Sequence, residues 1–65
     1  MSIFLNGKPL ETQSTTVAEL LQELQLTQKR LAVEVNGVVV PKSGHQACLL
    51  KPDDRVEILT AVGGG

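Results

Sequence analysis

Thr16-Val17-Ala18-Glu19-Leu20-Leu21-Gln22-Glu23-Leu24 is the stretch on which the reading of this chain turns. Val17, Leu20, Leu21 and Leu24 stand at i, i+3, i+4 and i+7, which places them on one face of a helix. Glu19, Gln22, Glu23 and Gln25 fall mainly on the other face. Thr16 is a good N-cap residue, and Glu19 follows at the capping-box spacing. The pattern predicts a helix from about Val17 to about Leu26, ending ahead of the polar connection Thr27-Gln28-Lys29-Arg30. Lys29 and Arg30 are placed to offset the dipole at its C-terminus. A helix this short is unstable alone, so its leucine face needs a sheet to cover.

The flanking segments supply one. Upstream, Ile3-Phe4-Leu5 runs into Asn6-Gly7, the strongest two-residue hairpin signal, because both central positions of a type I′ turn take φ > 0. Lys8 to Thr12 returns as a second strand, and Pro9, which has no N–H for a ladder, assigns that strand to an edge. Downstream, Leu31 to Val35, Asn36-Gly37 and Val38-Val39-Val40 repeat the hairpin, stopped by Pro41. Lys42 to Gln46 reads as irregular, and Ala47-Cys48-Leu49-Leu50 as a short extended piece. Lys51-Pro52-Asp53-Asp54 is a turn with Pro52 at its second position. Arg55 to Thr60 is the last strand.

Hairpin, helix, hairpin, strand is an α+β order. With a right-handed crossover, it predicts a mixed four- to five-stranded sheet with one helix on one face. The first and last strands are expected side by side in the middle. Ile3, Leu5, Val33, Val35, Val56 and Ile58 then meet Val17, Leu20, Leu21 and Leu24. Alternation sends Phe4 and Leu59 to the helix-free face; these two and Val62 are the candidate partner-binding residues.

Composition narrows the function. Sixty-five residues make one domain with a small core, without the second layer that a deep catalytic pocket needs. The chain has 6 basic and 7 acidic residues, no Trp and no Tyr. It therefore lacks the basic stripe and the stacking rings of a nucleic-acid binder. No apolar run reaches membrane-spanning length, and the N-terminus lacks the basic and apolar regions of a signal peptide. The single Cys48 precludes an internal disulfide and a multi-Cys zinc site, and no metal site is expected. A reduced thiol suits the cytoplasm. Residues 1–62 are expected to form the domain and 63–65 a thin flexible tail, Gly63-Gly64-Gly65, with a carboxylate on Gly65.

This ordered set resembles the ubiquitin-like β-grasp sulfur carriers, and among them the ThiS family of thiamine biosynthesis. The residues that carry the resemblance are Leu5-Asn6-Gly7, Val17-Ala18-Glu19-Leu20-Leu21, Val33-Glu34-Val35-Asn36-Gly37 with Val40-Pro41, and Asp54-Arg55-Val56-Glu57-Ile58. Ala61-Val62-Gly63-Gly64-Gly65 completes the set. The family often has Gly-Asp before its last strand, where this chain has Asp53-Asp54; the difference bears on the geometry of that turn.

The resemblance implies a protein co-substrate rather than an enzyme. An ATP-dependent, E1-like adenylyltransferase of the ThiF type would adenylate the Gly65 carboxylate. Sulfur from a cysteine desulfurase or another donor would convert it to a thiocarboxylate, and a ThiG-type thiazole synthase would receive that sulfur. Gly63 and Gly64 would give reach and clearance. No cofactor is expected to stay bound, ATP being used by the partner, and the free protein is expected to be a monomer. A carrier for molybdopterin or another sulfur pathway, a ubiquitin-like modifier, and a non-catalytic β-grasp binding module stand as alternatives. Cys48 reads as a packed thiol rather than a sulfur relay, His45 as a loop residue, and Asp53-Asp54 as solvated turn acids. Lys29, Arg30 and Arg55 are candidates for steering an acidic partner.

Overall fold

Both Asn-Gly pairs turn the chain as their backbone preferences require: Asn6 and Gly7 have φ of 50° and 84°, and Asn36 and Gly37 have φ of 53° and 85°. The computed structural model describes residues 1–27 and 30–60. The first turn joins β1 (Ser2–Leu5) to β2 (Lys8–Glu11), and the second joins β3 (Leu31–Val35) to β4 (Val38–Val40). The helix α1 (Val17–Glu23) lies between the hairpins, and a 3₁₀ turn, Lys42–Gly44, leads toward β5 (Arg55–Thr60). The sheet order is β2-β1-β5-β3-β4, with β1 and β5 parallel and the other pairs antiparallel. Pro9 lies in β2, at one edge of the sheet, where its missing N–H disrupts nothing.

Ile3, Val33, Val56 and Ile58 from the sheet close on Val17, Leu20 and Leu21 from the helix. Leu5, Val35 and Leu24 pack against this cluster half-buried. Leu50 joins the buried core, a position the reading of residues 47–50 left out. The reason is a two-segment exchange: Leu50 N–H donates to the Thr15 carbonyl (2.9 Å), and Val17 N–H donates to the Cys48 carbonyl (3.0 Å). The pairing is a single bridge, Thr16 with Leu49, rather than a strand over 47–50. It serves the helix as well. The first N–H groups of a helix have no partner inside it; here Val17 is bonded to Cys48, Ala18 to the His45 carbonyl and Glu19 to Thr16 Oγ1.

Two expectations about the helix need correction. It ends at Glu23, not near Leu26. Gln25 takes a left-handed φ of 60°, Gln25 N–H bonds to the Gln22 carbonyl (3.0 Å), and Leu26 N–H bonds back to the Leu21 carbonyl (2.8 Å). These two bonds are those of a Schellman termination, which usually takes glycine at the left-handed position. The capping box is shifted: Glu19 Oε1 accepts from the Thr15 N–H (2.7 Å) and the Thr15 hydroxyl (2.9 Å), one residue before the cap. Glu23, on the face away from the leucines, has its Oε1 accepting from the hydroxyls of Thr12 and Ser14, both buried. Lys29, one of the two cations expected near the helix end, lies outside the described residues.

Candidate functional site

β5 is the central strand, gripped on both flanks. On the β1 side, Phe4 N–H donates to the Asp54 carbonyl and Asn6 N–H to the Val56 carbonyl, both at 2.9 Å. β1 then turns away at Gly7, and the Asn6 side chain takes over. Its Oδ1 accepts from the Ile58 N–H (2.8 Å), and its Nδ2 donates to the Ile58 carbonyl (3.2 Å). On the β3 side, the Asn36 N–H donates to the Arg55 carbonyl (2.7 Å), and Asn36 Oδ1 accepts from the Arg55 N–H (2.9 Å). Both asparagines were read from the sequence as turn residues only. Each also holds the strand that leads to the glycine tail, and no local pattern signals a contact so distant in the chain.

The turn before β5 forms in spite of the Asp53-Asp54 departure. Asp54 N–H bonds to the Lys51 carbonyl (3.1 Å) and Asp53 carries φ of 68°, the position where a type II turn favours glycine. Asp53 is exposed, as expected of a turn acid, whereas Asp54 is not solvated. It is buried, accepting from the Lys51 N–H (2.8 Å) and from Asn36 Nδ2 (3.0 Å). Its carboxylate is part of the frame. Among the described residues no group of three His, Cys, Asp or Glu side chains is placed to hold a metal.

The helix-free face of the sheet carries Phe4, 37% exposed, and Leu59, 68% exposed. They do not touch across neighbouring strands. Phe4 lies opposite Arg55, so Leu59 is four residues further along β5, about 13 Å at the usual rise of an extended chain. Glu57 lies between them, with Glu34 as its partner on β3. Leu59 is paired with Ala32, and Glu34 with the exposed Val39. A shallow groove of about 360 Å³ beside Phe4 is lined by Gly7, Arg55 and Glu57. The face is therefore a mixture of apolar side chains and charges rather than one apolar patch, and Arg55 lies within it.

Other residues singled out in the sequence sit elsewhere. Cys48 is half-buried and packs against the core. His45 Nε2 lies 3.2 Å from the Val40 carbonyl. Three glutamates are held below their ordinary pKa. Glu11 is lowered first by its hydrogen bond to the N-terminal ammonium, then by Ser2. Glu19 is lowered by the Thr15 N–H and then its hydroxyl, and Glu23 by the hydroxyls of Thr12 and then Ser14. Val62, Gly63, Gly64 and Gly65 lie outside the described residues.

Comparison with known proteins matches this geometry to a family. The crystal structure of a thiamine biosynthesis protein, ThiS, from Geobacter metallireducens superposes with a TM-score of 0.83 at 36% identity, each chain covered in full. A thiazole synthase of Magnetococcus marinus is 38% identical over 66 aligned positions, with the whole chain covering 20% of that protein. The chain thus spans about a fifth of the length of that relative. An uncharacterized protein, ycf40, of Porphyra purpurea is 33% identical, with 93% of its length covered. The family model for ThiS matches residues 3–65, the terminal glycines included. A five-stranded mixed sheet, one helix, and a sequence match that runs from the first strand to Gly65 place the chain in the ThiS family.

Proposed function

We propose that this protein is a sulfur carrier of thiamine biosynthesis and that Gly65 bears the sulfur. The observation that carries the reading is the family match through residue 65, on a chain in which Gly63-Gly64-Gly65 follow the central strand in sequence. The similarity of the chain to part of a thiazole synthase supports an enzyme of that kind as the acceptor.

A carboxylate resists nucleophiles, because its charge and resonance oppose attack. An adenylating partner would exchange pyrophosphate of ATP for the Gly65 carboxylate, giving an acyl-adenylate whose leaving group is AMP. The terminal sulfur of a persulfide would then attack the acyl carbon as the bond to AMP breaks. A further thiol would cut the S–S bond of the acyl disulfide, leaving a thiocarboxylate. Glycine suits each step: it has no Cβ to widen the tail or to crowd the tetrahedral centre. Ordering the tail in an enclosed site costs on the order of 1–2 kcal/mol per residue, which docking of the helix-free face would offset. In this scheme the acids, bases and nucleophiles belong to the partners, and the carrier acts as co-substrate.

The test is intact-mass analysis after incubation with a ThiF-type activating enzyme, ATP and a persulfide donor. Exchange of one oxygen for sulfur, mapped to Gly65, is the expected result. An unmodified terminus with an active partner would refute the reading. Removal of Gly64 and Gly65 is expected to abolish the modification and leave the fold unchanged.

A further inference from the structure

We propose that Asn6 is a positioning residue for the C-terminal segment, its carboxamide fixing the line on which the chain leaves the sheet. The proposal rests on the carrier reading, with Gly65 as the reacting end. Asp54, Val56 and Ile58 turn their backbone groups toward β1, as the bonds from Phe4, Asn6 and the Asn6 side chain show. Parallel pairing of β1 with β5 ends at Leu5 and Val56. Beyond it the β1 backbone has turned into the hairpin, and Ile58 would face an open flank.

The Asn6 carboxamide fills that flank by imitating one more strand residue. It offers an acceptor to the Ile58 N–H and a donor to the Ile58 carbonyl. Two bonds on opposite sides of one Cα hold the peptide planes before and after Ile58. On the other flank β3 pairs Val33, Ala32 and Leu31 with Ile58, Leu59 and Thr60, so the Asn6 bonds complete a two-sided grip on the strand just before Thr60, the last described residue. A strand end gripped by β3 alone has one open flank and more freedom to twist, and loose positioning of a reacting segment is costly to rate. Asparagine answers two demands at once, because it tolerates the left-handed φ of the turn and carries both a donor and an acceptor. The turn alone would be served equally by glycine.

That equivalence makes the test clean. Asn6→Gly keeps a residue suited to the turn and removes both bonds to Ile58; Asn6→Asp keeps the acceptor and loses the donor. Asn36→Gly removes the side-chain bonds to Arg55 and Asp54 at the start of β5, keeps the backbone bond to the Arg55 carbonyl, and serves as the control for general loosening. The first readout is backbone ¹⁵N relaxation, which needs no partner. Asn6→Gly is expected to lower the order of the Leu59 and Thr60 amides while Ile3 and Val33 stay rigid, with Asn6→Asp intermediate. Unchanged order at Leu59 and Thr60 in Asn6→Gly would overturn the proposal.

The second readout is the steady-state kinetics of adenylation. Asn6→Gly is expected to lower kcat about tenfold, within the range that misplacement of a reacting group produces, with KM little changed because the docking face is intact. Asn36→Gly, at the same loss of thermal stability, is expected to leave kcat near the original value. An equal fall in kcat for both variants would reduce Asn6 to a structural role and overturn the proposal. If the unaltered chain is not adenylated at all, the carrier reading fails, and the relaxation measurement still decides whether Asn6 orders the segment after Ile58.

Discussion

Asn36 Nδ2 donates to Asp54 Oδ1 at 3.0 Å, joining the second hairpin turn to the turn that launches β5. The other oxygen of Asp54 accepts the Lys51 N–H at 2.8 Å, so one buried carboxylate closes its own turn and ties it to the second hairpin. Removing a partner from a buried polar network leaves the remaining groups unsatisfied, at about 1–3 kcal/mol. Asp54→Ala is expected to destabilise by that amount in urea unfolding. The double variant Asn36→Gly/Asp54→Ala is expected to lose less than the sum of the two singles, since each removes the same bond.

Besides the two hairpin asparagines, Gln25 at φ 60° and Asp53 at φ 68° sit in left-handed backbone. The conformation costs an L-residue roughly 1–2 kcal/mol, and glycine avoids it at the expense of a more flexible unfolded chain. Gln25→Gly is expected to stabilise by about 0.5–1 kcal/mol, the balance of those effects. Asp53→Gly is expected to gain less, because aspartate tolerates the conformation better. Thermal unfolding of the two variants checks both the sign and the order.

Glu34 and Glu57 are cross-strand partners on the helix-free face. Like charges directly opposite in a sheet are destabilising, and opposite charges gain roughly 0.2–1 kcal/mol. Glu34→Lys is therefore expected to raise stability by a few tenths of a kcal/mol or more, an effect that shrinks at high salt. A charge-reversal series in low and high salt measures it.

The lowered glutamates set the acid limb of stability. Glu19 and Glu23 are held below their ordinary pKa by hydrogen bonds made to the ionised form. A carboxylate depressed in the folded state stabilises above its unfolded pKa, about 4.3 for glutamate. That contribution disappears as pH falls through the lower folded value. Tm is expected to be flat above about pH 5 and to drop below about pH 4. Glu23→Gln is expected to flatten that drop.

Leu20 has no exposed surface and lies at the centre of the core, whereas Leu59 points to solvent. Leu20→Ala is expected to cost about 2–5 kcal/mol, most of the margin of so small a domain. Leu59→Ala is expected to leave Tm within a degree or two, at under about 0.5 kcal/mol, the usual size of a surface change. If the helix-free face docks partners, the second variant loses transfer of sulfur without losing the fold. Parallel measurement of Tm and thiocarboxylate formation separates the two effects.

Local physics made much of this molecule legible in advance. The Asn-Gly dipeptides demand positive φ from their own residues, and the leucine spacing of α1 states which face is buried. Pro9 declares an edge strand by lacking an N–H. Alternation along Ile3-Phe4-Leu5 and Val56-Glu57-Ile58-Leu59 assigns Phe4 and Leu59 to the side away from the helix. Even the family is carried by the order of these short signals together with the terminal glycines. All of these are properties of neighbours in sequence, which is why no structure is needed to read them.

Tertiary structure alone decided what depends on register between distant segments. Asn6 meets Ile58 across 52 residues, and Asn36 meets Asp54 across 18; turn propensity holds no information about where a side chain will find its partner. Nor does it place Glu34 opposite Glu57 or separate Phe4 from Leu59 by four residues of β5. Helix length was not legible either: periodicity continued past Glu23, but the helix ends there, with Gln25 in a conformation its own propensity disfavours. Sequence patterns determine which face each residue presents; the sheet register determines what that face meets.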